Sequence, residues 1–313
     1  MQILNYQPGP NAVSFSSEGE TLIGTLFLPA VYQPGTPLAA VVVCGPWTQV
    51  KEQIGYRYGR ELAKQGLASL AFDFRFYGES GGEPRQLEST LAKVRDLHHA
   101  VSFLQTLAGV IDPEQIGILG VCAGASVVAF AAAQDDRIKA VGTVAAWLQH
   151  PDTTPLFYGG AEGVEQRLKF AEQAEAKYEQ TGDMDYVAAY DPAEGSGAAM
   201  FFPIDYYANP ERGRVPSWHN QFAVLSWREW LTMDAIAPAK AIKVPVQMVH
   251  SDGSALPQNV KRFFEELGST EKDLHWTTGE HTQFYDQEPY VHRSARIITD
   301  HYKRVLHPEA VLT

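Results

Sequence analysis

Cysteine is nearly absent: Cys44 and Cys122 are the only two in 313 residues. That excludes a disulfide framework and suits a reducing compartment, so a cytoplasmic protein is expected. Positive charge is also short, with 25 Lys and Arg against 37 Asp and Glu and a formal net charge of -12. Basic clusters are missing, and phosphates need them, so neither nucleic acid nor an anionic membrane is an expected partner. No apolar run reaches the length of a membrane span. The first residues, Met1 to Pro8, lack the charged head and apolar core of a secretory signal. No HExxH, zinc knuckle, P-loop or GxGxxG occurs, so no metal and no cofactor is expected. Repeats and low-complexity segments are absent as well.

What is present is an ordinary globular composition, 45% hydrophobic and 20% charged, in a chain long enough for one α/β domain with a large insertion. Residues 12–16 and 21–28 flank a polar turn and read as a hairpin. Leu38 to Cys44 is an unbroken apolar run, the mark of a buried central strand. Lys51 to Gln65 reads as a helix closed by Gly66. Leu67 to Phe74 is a second buried strand. Leu87, Leu91, Val94, Leu97, Val101 and Leu104 then form one helical stripe, and Asp112-Pro113 ends that unit. Strands follow at Ile116 to Gly120, Ile138 to Ala146, Val244 to Asp252 and Asp273 to Thr277, with helices at 257–267 and 288–305. The alternation predicts a mostly parallel sheet with helices on both faces.

Residues 148–240 break this pattern. Their helical stripes are short and their aromatic content is high, which predicts an inserted cap over a core formed by 1–147 and 241–313. Most of the cap's rings are expected to form its own small core, and a minority to line a substrate pocket. Trp147, Trp218, Phe222 and Trp227 are the candidate lining residues.

The chemistry centres on Gly120-x-Cys122-x-Gly124, placed between an apolar strand and an alanine-rich helix. This is nucleophile-elbow spacing with sulfur in place of oxygen. The glycines allow a tight reversal that holds the middle side chain out at the strand's end. The amides of the following helix point back at that sulfur, which favours thiolate. Cys122 is therefore the candidate nucleophile.

A thiol attacking an acyl carbon needs a base, a group orienting the base and donors for the oxyanion. His281 lies in a short turn after the last strand, beside Gly279, and is the candidate base. His250 is its main competitor and His219 a weaker one. His98, His99, His275, His292, His301 and His307 sit within helices or strands, or at their ends. Asp252 ends the strand after the cap and is the candidate acid. The amides of Ala123 and Trp47 are the candidate oxyanion donors, since Pro46 has no N-H. Cys44 is expected on a strand neighbouring that of Cys122, so an oxidative bridge between the two is conceivable if their Cβ atoms lie close enough.

The order nucleophile, acid, histidine is that of the α/β-hydrolases, and the sequence resembles that superfamily. Within it the chain is most similar to dienelactone-hydrolase-like proteins with a Cys nucleophile, including a branch of polyketide-processing hydrolases and acyltransferases. The resemblance rests on Val50-Lys51-Glu52-Gln53, Ala71-Phe72-Asp73, Tyr77 to Arg85, Gly117 to Gly124, Trp227, Gly279-x-His281 and Phe284-Tyr285-Asp286. It implies the α/β-hydrolase fold with a Cys122-Asp252-His281 triad. The expected activity is hydrolysis of an activated ester, lactone or thioester through an acyl-enzyme. Acyl transfer to an alcohol or amine is the alternative, and a non-catalytic binder of small molecules is the reading of another class. The expected partner is an apolar or aromatic acyl compound, and assembly as a homo-oligomer is left open.

Overall fold

The computed structural model describes residues 6–193 and 195–306. The reading of Met1 to Asn5 and the placement of His307 thus fall outside the described residues. Eight strands form one sheet: β1 (Gly9–Ser17), β2 (Glu20–Leu28), β3 (Leu38–Cys44), β4 (Ala68–Phe72), β5 (Ile111–Val121), β6 (Ala140–Val144), β7 (Val246–Gly253) and β8 (Lys272–Glu280). Their order is β1-β2-β4-β3-β5-β6-β7-β8. The β1-β2 and β2-β4 pairs are antiparallel, and the others are parallel. Asp112 and Pro113 lie inside β5 and do not end the preceding unit.

The sheet separates two apolar layers. In β3, Ala40, Val42 and Cys44 face one layer while Ala39, Val41 and Val43 face the other, as the two-residue period of a strand requires. The first layer holds α1 (Thr90–Thr106) and α2 (Gly124–Ala132). The stripe Leu97, Val101 and Leu104 of α1 is fully buried, each side chain contributing about 1.5–3 kcal/mol. The second layer holds Tyr58 and Leu62 of the helix Tyr56–Lys64 and Ala295, Ile298 and Tyr302 of the helix Tyr290–Leu306. Gly66, at φ +96°, closes the former helix as expected.

Between β6 and β7 the chain makes a long excursion that packs on the second layer. Its main element is α3 (Gly160–Thr181), a helix of 22 residues, where short stripes are expected from sequence. Only Ala171 and Ala174 of this helix are buried. Val164 and Leu168 pack on the same layer but are only partly buried, and a face that is otherwise alanine gives a weak apolar period, which hides the helix from pattern reading. The excursion is tied to loops of the sheet: the Trp218 indole donates to the Thr48 carbonyl at 2.9 Å, and Glu229 accepts from Ser89 Oγ at 2.7 Å and the Leu91 amide at 2.6 Å. Among the described residues, no helix is long and apolar enough to cross a membrane.

Candidate active site

The turn after β5 is built by its two glycines. A Cβ on Gly120 would lie 2.6 Å from the Gly124 carbonyl and from Val128, and one on Gly124 would lie 2.2 Å from the Cys44 carbonyl. Only glycine permits that approach of helix, strand and neighbouring strand end. Between them Cys122 has φ +56°, in the left-handed region where a side chain is strained. Its amide donates to the Val144 carbonyl at 3.1 Å, and its carbonyl accepts from Ala125 and Trp147. The backbone is thereby held while the sulfur projects at the carboxyl end of the sheet. Cys122 is 5% exposed.

His281 reaches this sulfur from the end of β8, with Nε2 3.3 Å from Cys122 Sγ. The Ala123 and Trp47 backbones, the candidate oxyanion donors, lie close enough to the sulfur to favour its ionised form. The Trp47 loop is rigidly tied. Thr48, at φ +56°, donates its amide to Glu88 at 2.8 Å, and Glu88 is held in turn by Tyr77 Oη at 3.0 Å and by Lys93. Behind Trp47, Lys51 Nζ bonds Asp73 at 2.8 Å, which accounts for two of the stretches that carry the resemblance.

Asp252 is not brought to His281. Its side chain is 79% exposed; the carboxylate accepts from the Trp276 indole at 3.1 Å and lies 3.9 Å from Lys261. In its place the Ala255 amide donates to His281 Nδ1 at 3.1 Å. At the end of β7 the Asp252 side chain turns to solvent while the Gly253 carbonyl accepts from the His281 amide at 3.1 Å, so the carboxylate is replaced at the ring by backbone from the loop that follows. Because Nδ1 accepts a hydrogen bond, the neutral ring carries its proton on Nε2. His250, the competitor, is buried in β7 against Trp276, with neither ring nitrogen hydrogen-bonded.

Burial sets the charge state. It pushes the Cys122 thiol up to about 11, overriding the lowering by Tyr285 and by the Ala123 and Trp47 amides. His281 keeps a partly exposed edge, yet the protein packed around it, helped by His250, pushes its pKa down to about 3. Both shifts favour neutral thiol and neutral imidazole over the expected thiolate, because desolvation penalises both ions more than the helix amides stabilise one.

One participant was not singled out for this position. Tyr285 Oη lies 3.1 Å from His281 Nε2 and also hydrogen-bonds the Cys122 sulfur. The signal available was its spacing, since residues four apart share a face of a helical turn. Tyr207 stands next to it, buried and close enough to both Tyr285 and Cys122 for their charges to act on it.

These groups face a chamber of about 50 Å³ lined by aromatic and apolar side chains, among them Trp47, Trp147, Tyr158, Phe202 and Trp230. Trp147 is a lining residue as expected. Trp218, Phe222 and Trp227 are not; they form the layer behind, with Phe222 4.7 Å from the Trp47 ring, Trp227 4.8 Å from Phe222 and Trp218 5.4 Å from Tyr207. Composition cannot separate a lining ring from its support. Cys44 and Cys122 are both free, and their side chains belong to the apolar layers on opposite faces of the sheet, so no bridge joins them. Burial, with a smaller push from the Glu88 charge, raises Cys44 to about 12 against the lowering by Lys93. Among the described residues, no group of three His, Cys, Asp or Glu could hold a metal ion.

Comparison with known proteins places this geometry. The family model described as alpha/beta hydrolase fold matches residues 44–178. The chain is 28% identical over 309 residues to the uncharacterized protein YcjY of Escherichia coli K12, covering 95% of this chain and 99% of the relative. It is 30% identical over 292 residues to PA2218 of Pseudomonas aeruginosa, covering 88% and 76%. With the polyketide transferase claH of Penicillium crustosum it shares 27% over 271 residues, covering 83% and 86%. The crystal structure of PA2218 superposes with a TM-score of 0.79 over 95% of each chain. Elbow, sheet order and relatives agree, and the chain belongs to the α/β-hydrolase family.

Proposed function

We propose that this enzyme transfers acyl groups through a thioester on Cys122, hydrolysing an activated ester, lactone or thioester. The observation that carries the proposal is His281 Nε2 at 3.3 Å from Cys122 Sγ in an apolar chamber, with the Trp47 and Ala123 backbones close to the same sulfur. Cys122 and His281 act as a dyad, and Asp252 takes no part.

Because the pair is neutral, the thiol proton leaves as the carbonyl is attacked. His281 must accept it on Nε2, which requires the tautomer protonated on Nδ1. Reaching that tautomer gives up the Ala255 hydrogen bond, a cost of about 1–3 kcal/mol. The sulfur adds to the carbonyl carbon, and the oxyanion takes the amide bonds of Trp47 and Ala123. His281 then returns the proton to the leaving group, leaving a thioester for water to hydrolyse. Sulfur is itself a good leaving group, so the tetrahedral intermediate goes forward only when the other group leaves comparably well. Aryl esters, enol lactones and thioesters meet that condition, and amides do not.

Transfer to an alcohol or amine is a second reading, favoured by the apolar lining of the chamber, which disfavours water, and by the likeness to a polyketide transferase. The test is intact-protein mass after brief exposure to aryl esters, enol lactones, acyl thioesters and an anilide. An adduct on the native chain, absent from Cys122→Ala and absent with the anilide, is the expected result. Full turnover by Cys122→Ala would sink the proposal, and a second product formed only with an added acceptor would decide for transfer.

A further inference from the structure

The chamber at Cys122 has room for only a few waters' worth of substrate. Next to it lies a second, more open cavity of about 730 Å³, and the two share Tyr158 and Phe202 as walls. Tyr158 is fixed, because its hydroxyl accepts from the Trp230 indole at 2.7 Å. Phe202 is held only by ring contacts, at 4.6 Å to Phe201 and 6.1 Å to Phe157, and is the side on which the partition can open. The shared walls give a substrate larger than an acetyl group a place for its remainder in the outer cavity while its carbonyl sits in the inner chamber.

The outer cavity pairs apolar walls, Phe157 and Phe201, with a cation, Arg167. Nη1 of Arg167 donates to the carbonyls of Tyr158 and Gly163, both at 3.0 Å. Its guanidinium lies 5.4 Å from the ring centres of both Tyr158 and Trp227. Among the described residues no carboxylate pairs with it, whereas Arg75, Arg137 and Arg212 each hold one. Asp185 lines the groove on the other side of Arg167 but is committed to Lys177 at 2.5 Å. In a protein of net charge -12, this half-buried guanidinium, whose Nε and Nη2 make no hydrogen bond among the described residues, keeps donors that suit an oxyanion. Tyr158 is one ring layer separating it from the chamber of Cys122.

We propose that Arg167 anchors an anionic group of the substrate in the outer cavity while the reacting carbonyl reaches Cys122 past Phe202. The shared chemistry is an oxyanion, supplied either by a carboxylate on the acyl chain or by the phosphate of a carrier thiol. This rests on the acyl-transfer reading and names its substrate class.

Two matched pairs test it. The p-nitrophenyl monoester of glutarate against p-nitrophenyl valerate probes the acyl end, and butanoyl-phosphopantetheine against butanoyl-pantetheine probes the thiol end. The native enzyme is expected to prefer the anionic member of one pair at least tenfold in kcat/KM. Arg167→Met should erase that preference while leaving the neutral member within about threefold, and Arg167→Gln serves as the second variant if the first melts early. Equal loss on both members, which marks a packing role under Tyr158 and Trp227, overturns the proposal, as does a native enzyme indifferent to charge in both pairs. If nothing is turned over, the acyl-transfer reading has failed, and the anion site is judged by calorimetry of glutarate and phosphopantetheine with Cys122→Ala. Binding weakened tenfold or more by Arg167→Met then upholds the site, and no binding of either compound overturns it.

Discussion

Replacing Asp252 by Asn removes the one carboxylate that chain order assigns to a triad. Where such a carboxylate holds the base, its loss costs about 10⁴ in rate. Here the side chain is 79% exposed and bonded to Trp276. Its charge acts on His250 but does not figure among the influences on His281. A unit charge acting through a water-like medium contributes about 1 kcal/mol at about 4 Å and less beyond, so an exposed carboxylate out of contact with the ring changes the rate by a few-fold at most. Asp252→Asn is therefore expected to keep kcat/KM for an aryl ester within about threefold of native, while His281→Ala abolishes measurable turnover. Steady-state kinetics of the three proteins at pH 7.5 make the comparison, with thermal melts to show that each is folded. A drop of 10³ or more for Asp252→Asn would mean that the carboxylate swings onto Nδ1 in the working enzyme, and the dyad would be wrong.

Other consequences follow from the same geometry. With His281 at about 3 and Cys122 at about 11, kcat/KM should stay flat from pH 5.5 to 9.5; a rising limb centred between 6 and 8 would indicate a thiolate-imidazolium pair instead. His250 and His281 have folded pKa values of about 4 and about 3, below the ordinary 6.5. The unfolded chain thus protonates first as pH falls, and the stability present above pH 6.5 is progressively lost down to the folded values. At pH 5.5 each ring should cost about 1.4 kcal/mol, the two together lowering the apparent Tm by roughly 4 °C from its value at pH 7.5; identical melts at the two pH values would contradict neutral burial. Tyr285→Phe removes the hydroxyl shared by Cys122 and His281 and should lower kcat about tenfold with an unchanged melt, from one hydrogen bond of about 1.4 kcal/mol; unaltered kcat would reduce Tyr285 to packing. Gly124→Ala pushes a methyl into the Cys44 carbonyl and should destabilise the fold by at least about 3 kcal/mol in chemical denaturation; a loss below 1 kcal/mol would show that the turn relaxes.

Much of this molecule could be read in advance because its signals are local. The apolar run of β3, the stripe of α1 and the elbow glycines each act within a few residues, and the strand-helix alternation then leaves little choice of sheet. Cys122 and His281 were legible for the same reason, since each occupies a turn that a regular element ends in. The helix Gly160–Thr181 is hard to read from sequence because its contact face, Val164, Leu168, Ala171 and Ala174, carries a weak apolar period among charged residues. Which group meets Nδ1 depends on how the loop after β7 turns, and there an amide of Ala255 displaced the carboxylate that chain order suggests. Which rings line the chamber depends on the path of the excursion, so Tyr158 and Trp230 line it while Trp218 and Phe222 support it. The sequence alone determined the fold and singled out Cys122 and His281 as the candidate nucleophile and base. Tertiary packing decided the partner of the base, the neutral charge state and the pocket, because these are set by what surrounds each side chain in space and by how much water that packing removes.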